Sequence, residues 1–380
     1  METHNILVFI PNDSRAGGSD EVLFQIARYY TQKNANVYVL FLTKIRFGDW
    51  QELEKFPNVQ FYSNRSLREL YGVIPTLINV FRLRKILFDY VFSSNPHTAD
   101  FLGQLRMFGI LKTKFLIGRE HCSVFLRFSG RKLCMYNLHY HLGYRALNCL
   151  ICQSKEMKDQ FIEGVPSIAR KINPTVIPNP VNLAEMREKG SKEMDYPYSF
   201  QNRTIVSAGR FVKEKGFDLL IEAFYLLQKD ETFHDVRLLI LGDGPDRAIL
   251  ESSIKQKGLH EVVFLPGMSK NIYPYFKRAT LCVISSRIEG FPNVLLQMMS
   301  QCDNIVSTSC AGDIDQIKGL LTCAPYSAEA LHQSIKRALE SKKSAKNRQL
   351  FDQELERRSI ANFITNIEAA VTDEILNTVG

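Results

Sequence analysis

Short, mostly apolar runs recur along the chain and alternate with longer amphipathic segments. In the first half these runs are residues 5–11, 37–42, 59–62, 90–93, 115–118, 147–152 and 175–177. Near-continuous apolar runs of this length fit strands covered on both faces, as in a parallel sheet. Residues 20–33 read as an amphipathic helix with Ser19 or Asp20 as its N-cap, and residues 155–161 as another. This β-loop-α-β order predicts a parallel sheet with right-handed crossovers. Ile177-Pro178-Asn179-Pro180 then punctuates the chain, and the stretch 185–202 after it is poor in large apolar residues. A domain boundary is expected here, dividing the chain into 1–180 and 181–359, with a terminal helix at about 360–380 packing back on the first domain. A second series follows, with strands at 204–208, 236–241, 262–265, 281–284 and 304–308 and helices at 216–228, 246–257, 269–278 and 293–300. Two consecutive open α/β domains leave a crevice at the carboxyl ends of their strands.

The most informative stretch is 281–302. Its apolar strand ends in a glycine-containing turn, Ser285 to Pro292, that feeds a helix from Asn293. The first N–H groups of such a helix have no intrahelical partner and favour an anion. A second strand-to-helix loop, Gly209-Arg210-Phe211-Val212-Lys213-Glu214-Lys215-Gly216, brings two cations, Arg210 and Lys215, to another helix start. Leu241-Gly242-Asp243-Gly244-Pro245 is a third turn of this kind.

Composition is that of a globular protein, 45% hydrophobic and 23% charged over 380 residues. No apolar run reaches the ~20 residues that span a bilayer, and the N-terminus reads as lacking a signal peptide. The eight cysteines lie mostly in apolar segments, as expected of reduced core thiols, and the Cys149/Cys152 pair has no second pair at zinc spacing. Net charge is +8, and all the excess lies in residues 1–180, which carry 23 Lys and Arg against 14 Asp and Glu. That asymmetry concerns partners.

Taken together, the series G-R-x4-K-G, L-G-D-G-P, F-L-P-G and E-G-F-P-N-V-L-L resembles the C-terminal domain of glycosyltransferase family 4, retaining enzymes of bacterial polysaccharide and lipopolysaccharide assembly with the GT-B fold. Gly17-Gly18, the loop Arg119-Glu120-His121 and the segment Val176 to Asn182 are similar to that family as well. The resemblance implies an α/β chain of two Rossmann-like domains facing across a cleft. It also implies a nucleotide-sugar donor, UDP-linked, and no metal or other cofactor. Arg210 and Lys215 match the pair that grips the donor diphosphate, and Glu289 matches the first carboxylate of the family's paired-glutamate motif, which contacts the donor sugar. Gly290, Phe291, Pro292, Asn293 and Val294 would set backbone N–H groups beside the donor. Met268, after Phe264-Leu265-Pro266-Gly267, joins the donor-contacting set. Gly17 and Gly18 would approach the diphosphate from the other domain, and His121 matches the histidine that faces the transferred sugar. His97 is a second candidate. The resemblance departs at Gln297, where the family has its ribose-binding glutamate. An amide offers one carbonyl acceptor and two donors in place of a carboxylate's two acceptors, so it holds one ribose hydroxyl by accepting and the other by donating.

Between Arg106 and Arg145 eight cations face a single acid, Glu120, with Phe108, Phe115, Phe125, Phe128, Tyr136, Tyr140 and Tyr144 interleaved. Residues 74–87 form a second candidate interfacial helix. Cations beside rings suit an anionic membrane surface. The expectation is therefore a cytoplasmic protein, peripheral on the inner face of the membrane, acting on a glycan or lipid-linked glycan acceptor. Two rivals stand beside it: a non-catalytic sugar-nucleotide-binding subunit, suggested by Gln297, and a nucleic-acid-binding protein, suggested by charge alone, although no nucleic-acid-binding module is recognisable.

Overall fold

The computed structural model describes residues 3–15, 18–44, 46–64, 69–120, 122, 124–341 and 345–379, and for 69–74, 345 and 373–379 the backbone only. The chain divides into two compact units, Met1–Pro180 with Ile360–Gly380, and Val181–Ser359.

The first unit is built on seven parallel strands: β1 (Asn5–Ile10), β2 (Asn36–Phe41), β3 (Val59–Tyr62), β4 (Phe88–Ser93), β5 (Thr113–Arg119), β6 (Cys149–Cys152) and β7 (Asn173–Val176). Their order is β3-β2-β1-β4-β5-β6-β7. Alternate residues of β1 serve opposite faces. Ile6, Val8 and Ile10 join one core cluster, and Leu7 and Phe9 join the other. The strand is apolar at nearly every position because helices cover both faces of the sheet. The helix Ile360–Val379 belongs to this unit and inserts Phe363, Ile364, Ile367 and Val371 beside the helix Gly18–Gln32. Asn173 Nδ2 donates to its Ala370 carbonyl at 3.0 Å.

The second unit has six parallel strands: β8 (Thr204–Ala208), β9 (Arg237–Leu241), β10 (Val263–Gly267), β11 (Leu281–Ile284), β12 (Ile305–Thr308) and β13 (Leu321–Cys323). They run in the order β10-β9-β8-β11-β12-β13. The alternation repeats: Leu281 and Val283 face one cluster, Cys282 and Ile284 the other. The first and last residues of the unit, Val181 and Ser359, form a parallel bridge, and Val181 N donates to Arg358 O at 2.7 Å.

In both sheets the strand order reverses beside the first strand, between β1 and β4 and between β8 and β11. Loops leaving the two central strands diverge there and open the crevice in which α/β proteins bind ligands. One predicted helix starts late. The segment expected to be helical from residue 269 becomes so only at Tyr273–Arg278, because Asp195 captures Ser269 Oγ and Lys270 N, each at 2.7 Å. Pro274 then suits the first helical turn. No helix among the described residues is long and apolar enough to cross a membrane.

Candidate active site

The loops that follow β8 and β11 are joined along their backbones. Gly216 closes the first of them with φ +63°, and a Cβ there would lie 2.1 Å from the Ser285 carbonyl oxygen. Only glycine meets both conditions. Ser285 Oγ donates to the Lys215 carbonyl at 2.9 Å, and Arg287 N donates to the Glu214 carbonyl at 2.7 Å. The Arg287 guanidinium adds a bond to the Lys213 carbonyl at 2.7 Å and forks onto Asp218 at 2.8 and 2.6 Å. So held, Lys215 Nζ lies 2.5 Å from Glu289 Oε1, and Ser286 Oγ donates to the same oxygen at 2.8 Å. The Glu289 N–H is fixed on the Cys310 carbonyl at 2.7 Å. Burial, with Glu289 nearby, pushes the Cys310 thiol up to about 12, so it is inert at neutral pH.

Arg210 stands exposed on the same loop, and its guanidinium bonds to no described residue. The turn Gly242–Gly244 makes room for the chain on either side of it. A Cβ on Gly242 would meet the Gly209 carbonyl oxygen at 1.9 Å, and one on Gly244 the Phe211 carbonyl oxygen at 2.5 Å. Met268, 78% exposed, follows β10, whose Gly267 carbonyl accepts from Gly242 N at 2.8 Å. It therefore lies on the same edge of the sheet as Gly209 but two strands away. The Glu289–Asn293 turn splits by role. Phe291 is a core side chain under the Arg358 guanidinium, 4.7 Å from its ring centre. Pro292 is buried, whereas the N–H groups of Gly290, Phe291 and Val294 donate to no described residue. Gln297 sits in the second turn of the helix Asn293–Met299, half-buried, its amide bonded to no described residue. Two cations, one carboxylate and a set of open N–H groups thus share one edge of one sheet, an arrangement suited to a diphosphate with an attached polyol.

In the first unit Gly18 opens the helix Gly18–Gln32 after the β1 loop, while Gly17 and His121 lie outside the described residues. A small cleft beside β1 and β4 is lined by Ser19, Asp20, Ser94, Asn95 and Thr98. Arg119, at the end of β5, is buried and donates to Ser94 Oγ at 2.9 Å and to Asn179 Oδ1, tying three loops of this edge. Its neighbour Glu120 is also buried. Tyr144 donates to Glu120 Oε1 at 2.8 Å, whereas Oε2 is unpartnered, and burial lifts the carboxyl from 4.5 to about 7.

Sequence reasoning missed Asp100 and His139. Asp100 Oδ2 lies 2.6 Å from His139 Nδ1, and His139 Nε2 lies 2.8 Å from His97 Nδ1. The i, i+3 spacing of His97 and Asp100 on a helix was the available signal. The basic stretch also needs correction. Tyr140 and Tyr144 are core residues, and Phe115, Phe125, Phe128 and Tyr136 are half-buried, leaving Phe108 as the exposed ring of the set. The other exposed large apolar groups of the stretch are Met107, Leu126, Met135, Leu138 and Leu142. The last three share one face of the helix Gly130–Leu142, which also carries Arg131 and Lys132. In the second candidate segment, the helix Glu69–Leu83 exposes Ile78 and Phe81.

Residues 198–352 match the family model of the glycosyl transferases group 1. An uncharacterized glycosyltransferase of Methanocaldococcus jannaschii is 27% identical over 176 residues, 46% of this chain and 42% of that one. The N-acetylgalactosamine-N,N'-diacetylbacillosaminyl-diphospho-undecaprenol 4-alpha-N-acetylgalactosaminyltransferase of Campylobacter jejuni is 26% identical over 223 residues, 58% of this chain and 57% of that one. The chain thus spans about half the length of the curated relatives it matches. Among solved structures, Anabaena HepE in complex with UDP and glucose superposes with a TM-score of 0.75 at 16% identity, covering 97% of this chain and 100% of that one. That likeness shows the fold.

Proposed function

We propose that the chain, whose residues 198–352 match the glycosyl transferases group 1 model and whose fold is GT-B, is a glycosyltransferase that moves a sugar from a UDP-linked donor to a glycan acceptor with retention of configuration. The observation that carries the reading is the Lys215–Glu289 pair with exposed Arg210 on the same loop as Lys215, at the reversal of strand order in the second sheet. Arg210 and Lys215 take the diphosphate, which gains negative charge as the sugar–oxygen bond breaks. Glu289 receives hydroxyls of the sugar, and the open N–H groups of Gly290, Phe291 and Val294 supply further donors. The acceptor oxygen attacks from the face the diphosphate leaves, and its proton passes to a departing diphosphate oxygen. UDP as carrier is supported by the nucleotide bound in HepE.

A lipid-linked intermediate of bacterial surface-polysaccharide assembly is the proposed acceptor, met by a protein resting on the inner face of the membrane. Support comes from the exposed Met135, Leu138 and Leu142 beside Arg131 and Lys132, and from the diphospho-undecaprenol-linked substrate of the Campylobacter relative. A sugar-nucleotide-binding role without catalysis is the second reading, favoured by Gln297 in place of a carboxylate. A thermal-shift screen with UDP, GDP and ADP sugars tests the donor, since a ligand at ~100-fold its Kd stabilises by about 2.7 kcal/mol. Donor hydrolysis lost in Glu289→Ala supports the enzyme. Binding without any turnover supports the second reading, and no shift with any nucleotide sugar overturns both.

A further inference from the structure

The first unit contains a chain of three titratable groups that the donor site does not use. His97 lies in the first turn of the helix Pro96–Met107, directly after β4, where Asn95 caps the helix through Thr98 N at 3.1 Å. This places it at the reversal of strand order, next to the cleft formed by Ser94, Asn95 and Thr98. Its Nδ1 meets His139 Nε2 at 2.8 Å, and His139 Nδ1 meets Asp100 Oδ2 at 2.6 Å. Asp100 is buried, with Oδ1 accepting from Gln104 Nε2 at 2.8 Å. The arrangement depends on two glycines. A Cβ on Gly103 would lie 2.1 Å from the Gly143 carbonyl oxygen, and one on Gly143 would lie 2.0 Å from the Asp100 carbonyl oxygen. The two helices therefore approach backbone to backbone, which brings Asp100 beneath His139.

The proton positions follow from this chain. With both rings neutral, the Asp100 carboxylate accepts from His139 Nδ1–H, so His139 Nε2 carries a lone pair. His97 must then donate from Nδ1–H, and its Nε2 is left as an unprotonated acceptor bonded to no described residue. One proton added to the pair ends on His97 Nε2 whichever ring carries the charge, turning an acceptor into a donor. Partial burial of its ring, with His139 beside it, holds His97 below the ordinary histidine range, while Asp100 pulls the other way. Among the described residues, Tyr136, whose ring lies 5.4 Å from that of His97, and Tyr144 beside Asp100 also face the three groups.

We propose that His97 Nε2, oriented by His139 and Asp100, accepts a hydrogen bond from a hydroxyl of the sugar acceptor in the first unit, one other than the hydroxyl that attacks. The assignment rests on the glycosyltransfer reading above. His97 accepts that hydroxyl's hydrogen bond and so orients the bound acceptor, and Asp100 and His139 are positioning residues acting through it. Once protonated, Nε2 no longer accepts from that hydroxyl, so acceptor binding weakens and transfer declines on the acid side.

The test measures sugar transfer from UDP-sugars to octyl glycosides of hexoses and N-acetylhexosamines, together with UDP affinity by calorimetry. His97→Ala is expected to lower transfer roughly tenfold or more while keeping the UDP Kd. Asp100→Asn is expected to lower it less and to move the acid limb of the pH profile. Ring 15N shifts at pH 8 are expected to report His97 as the Nδ1–H tautomer. Undiminished transfer by His97→Ala, an Nε2–H tautomer, or UDP-sugar turnover without transfer to any of these glycosides overturns the proposal. Absence of UDP binding by the unaltered protein overturns the underlying reading instead, and the 15N shifts still decide the relay.

Discussion

Lys215 Nζ and Glu289 Oε1 lie 2.5 Å apart, although 74 positions separate them along the chain. Without ligand, each neutralises the other. On the proposed donor site, a diphosphate draws Lys215 away and leaves Glu289 open toward sugar hydroxyls, so the two groups are expected to exchange partners when the donor binds. Lys215→Ala is expected to weaken UDP binding by roughly ten- to a hundredfold, the worth of a charge-assisted hydrogen bond. Glu289→Gln is expected to bind UDP as tightly as the unaltered protein, or tighter, while losing transfer. Calorimetry beside a turnover assay separates the two, and parallel losses in both variants would count against the exchange.

Gly216 holds the same loop by backbone geometry. Alanine there must adopt a left-handed conformation and also displace the Ser285 carbonyl, 2.1 Å from the new Cβ. The expected cost is about 2 kcal/mol or more, read as a lower denaturant midpoint for the second unit. An unchanged midpoint would show that the loop relaxes freely.

The fold class was legible because strands covered on both faces must be apolar throughout, as β1 and β11 are. β13 was not legible, since Leu321-Thr322-Cys323 is a half-buried edge strand without that pattern. The residues Arg210, Lys215 and Glu289 stood out through glycine-bounded loops after strands. The pairing of Lys215 with Glu289 required the adjacency of β8 and β11, which strand order decides and periodicity does not. The rings of the basic stretch were misjudged for a related reason. A tyrosine beside cations reads as a surface group, yet Tyr144 is buried because its hydroxyl serves Glu120.

Glu120 makes stability pH-dependent. Its carboxyl titrates at about 7 when folded against 4.5 ordinarily, so between those values the native state binds more protons than the unfolded chain. Stability falls as pH rises through that window, by on the order of 3 kcal/mol in total. Glu120→Gln is expected to abolish this slope, matching the unaltered protein near pH 5 and exceeding it at pH 8. Denaturant unfolding across pH 5–8 checks it, and parallel curves for the two proteins would refute it.

At Gln297 the amide has no partner among the described residues, so a substitution there breaks no internal bond. Gln297→Glu is expected to tighten UDP binding several-fold, because a carboxylate accepts from two ribose hydroxyls at once. A weaker Kd by calorimetry would place the ribose elsewhere.

The apolar face of the helix Gly130–Leu142 predicts association with lipid. Leu138→Glu, at a position already 56% exposed, is expected to leave folding intact while reducing sedimentation with vesicles containing phosphatidylglycerol. Raised salt is expected to weaken the binding of the unaltered protein. Equal binding to neutral and anionic vesicles would argue against the role of Arg131 and Lys132.

The bridge between Val181 and Ser359 brings together the two places where the chain enters and leaves the second unit. Parallel neighbours of this kind stand about 4.8 Å apart, so this unit is an insertion whose ends already meet. Residues 181–359 can therefore be lifted out as a cassette, and a short linker between Pro180 and Ile360 keeps the helix Ile360–Val379 with its own sheet. On the proposed assignment of donor to the second unit and acceptor to the first, the two preferences are expected to be separately exchangeable, one by swapping the insertion and the other by swapping the host into which it is spliced.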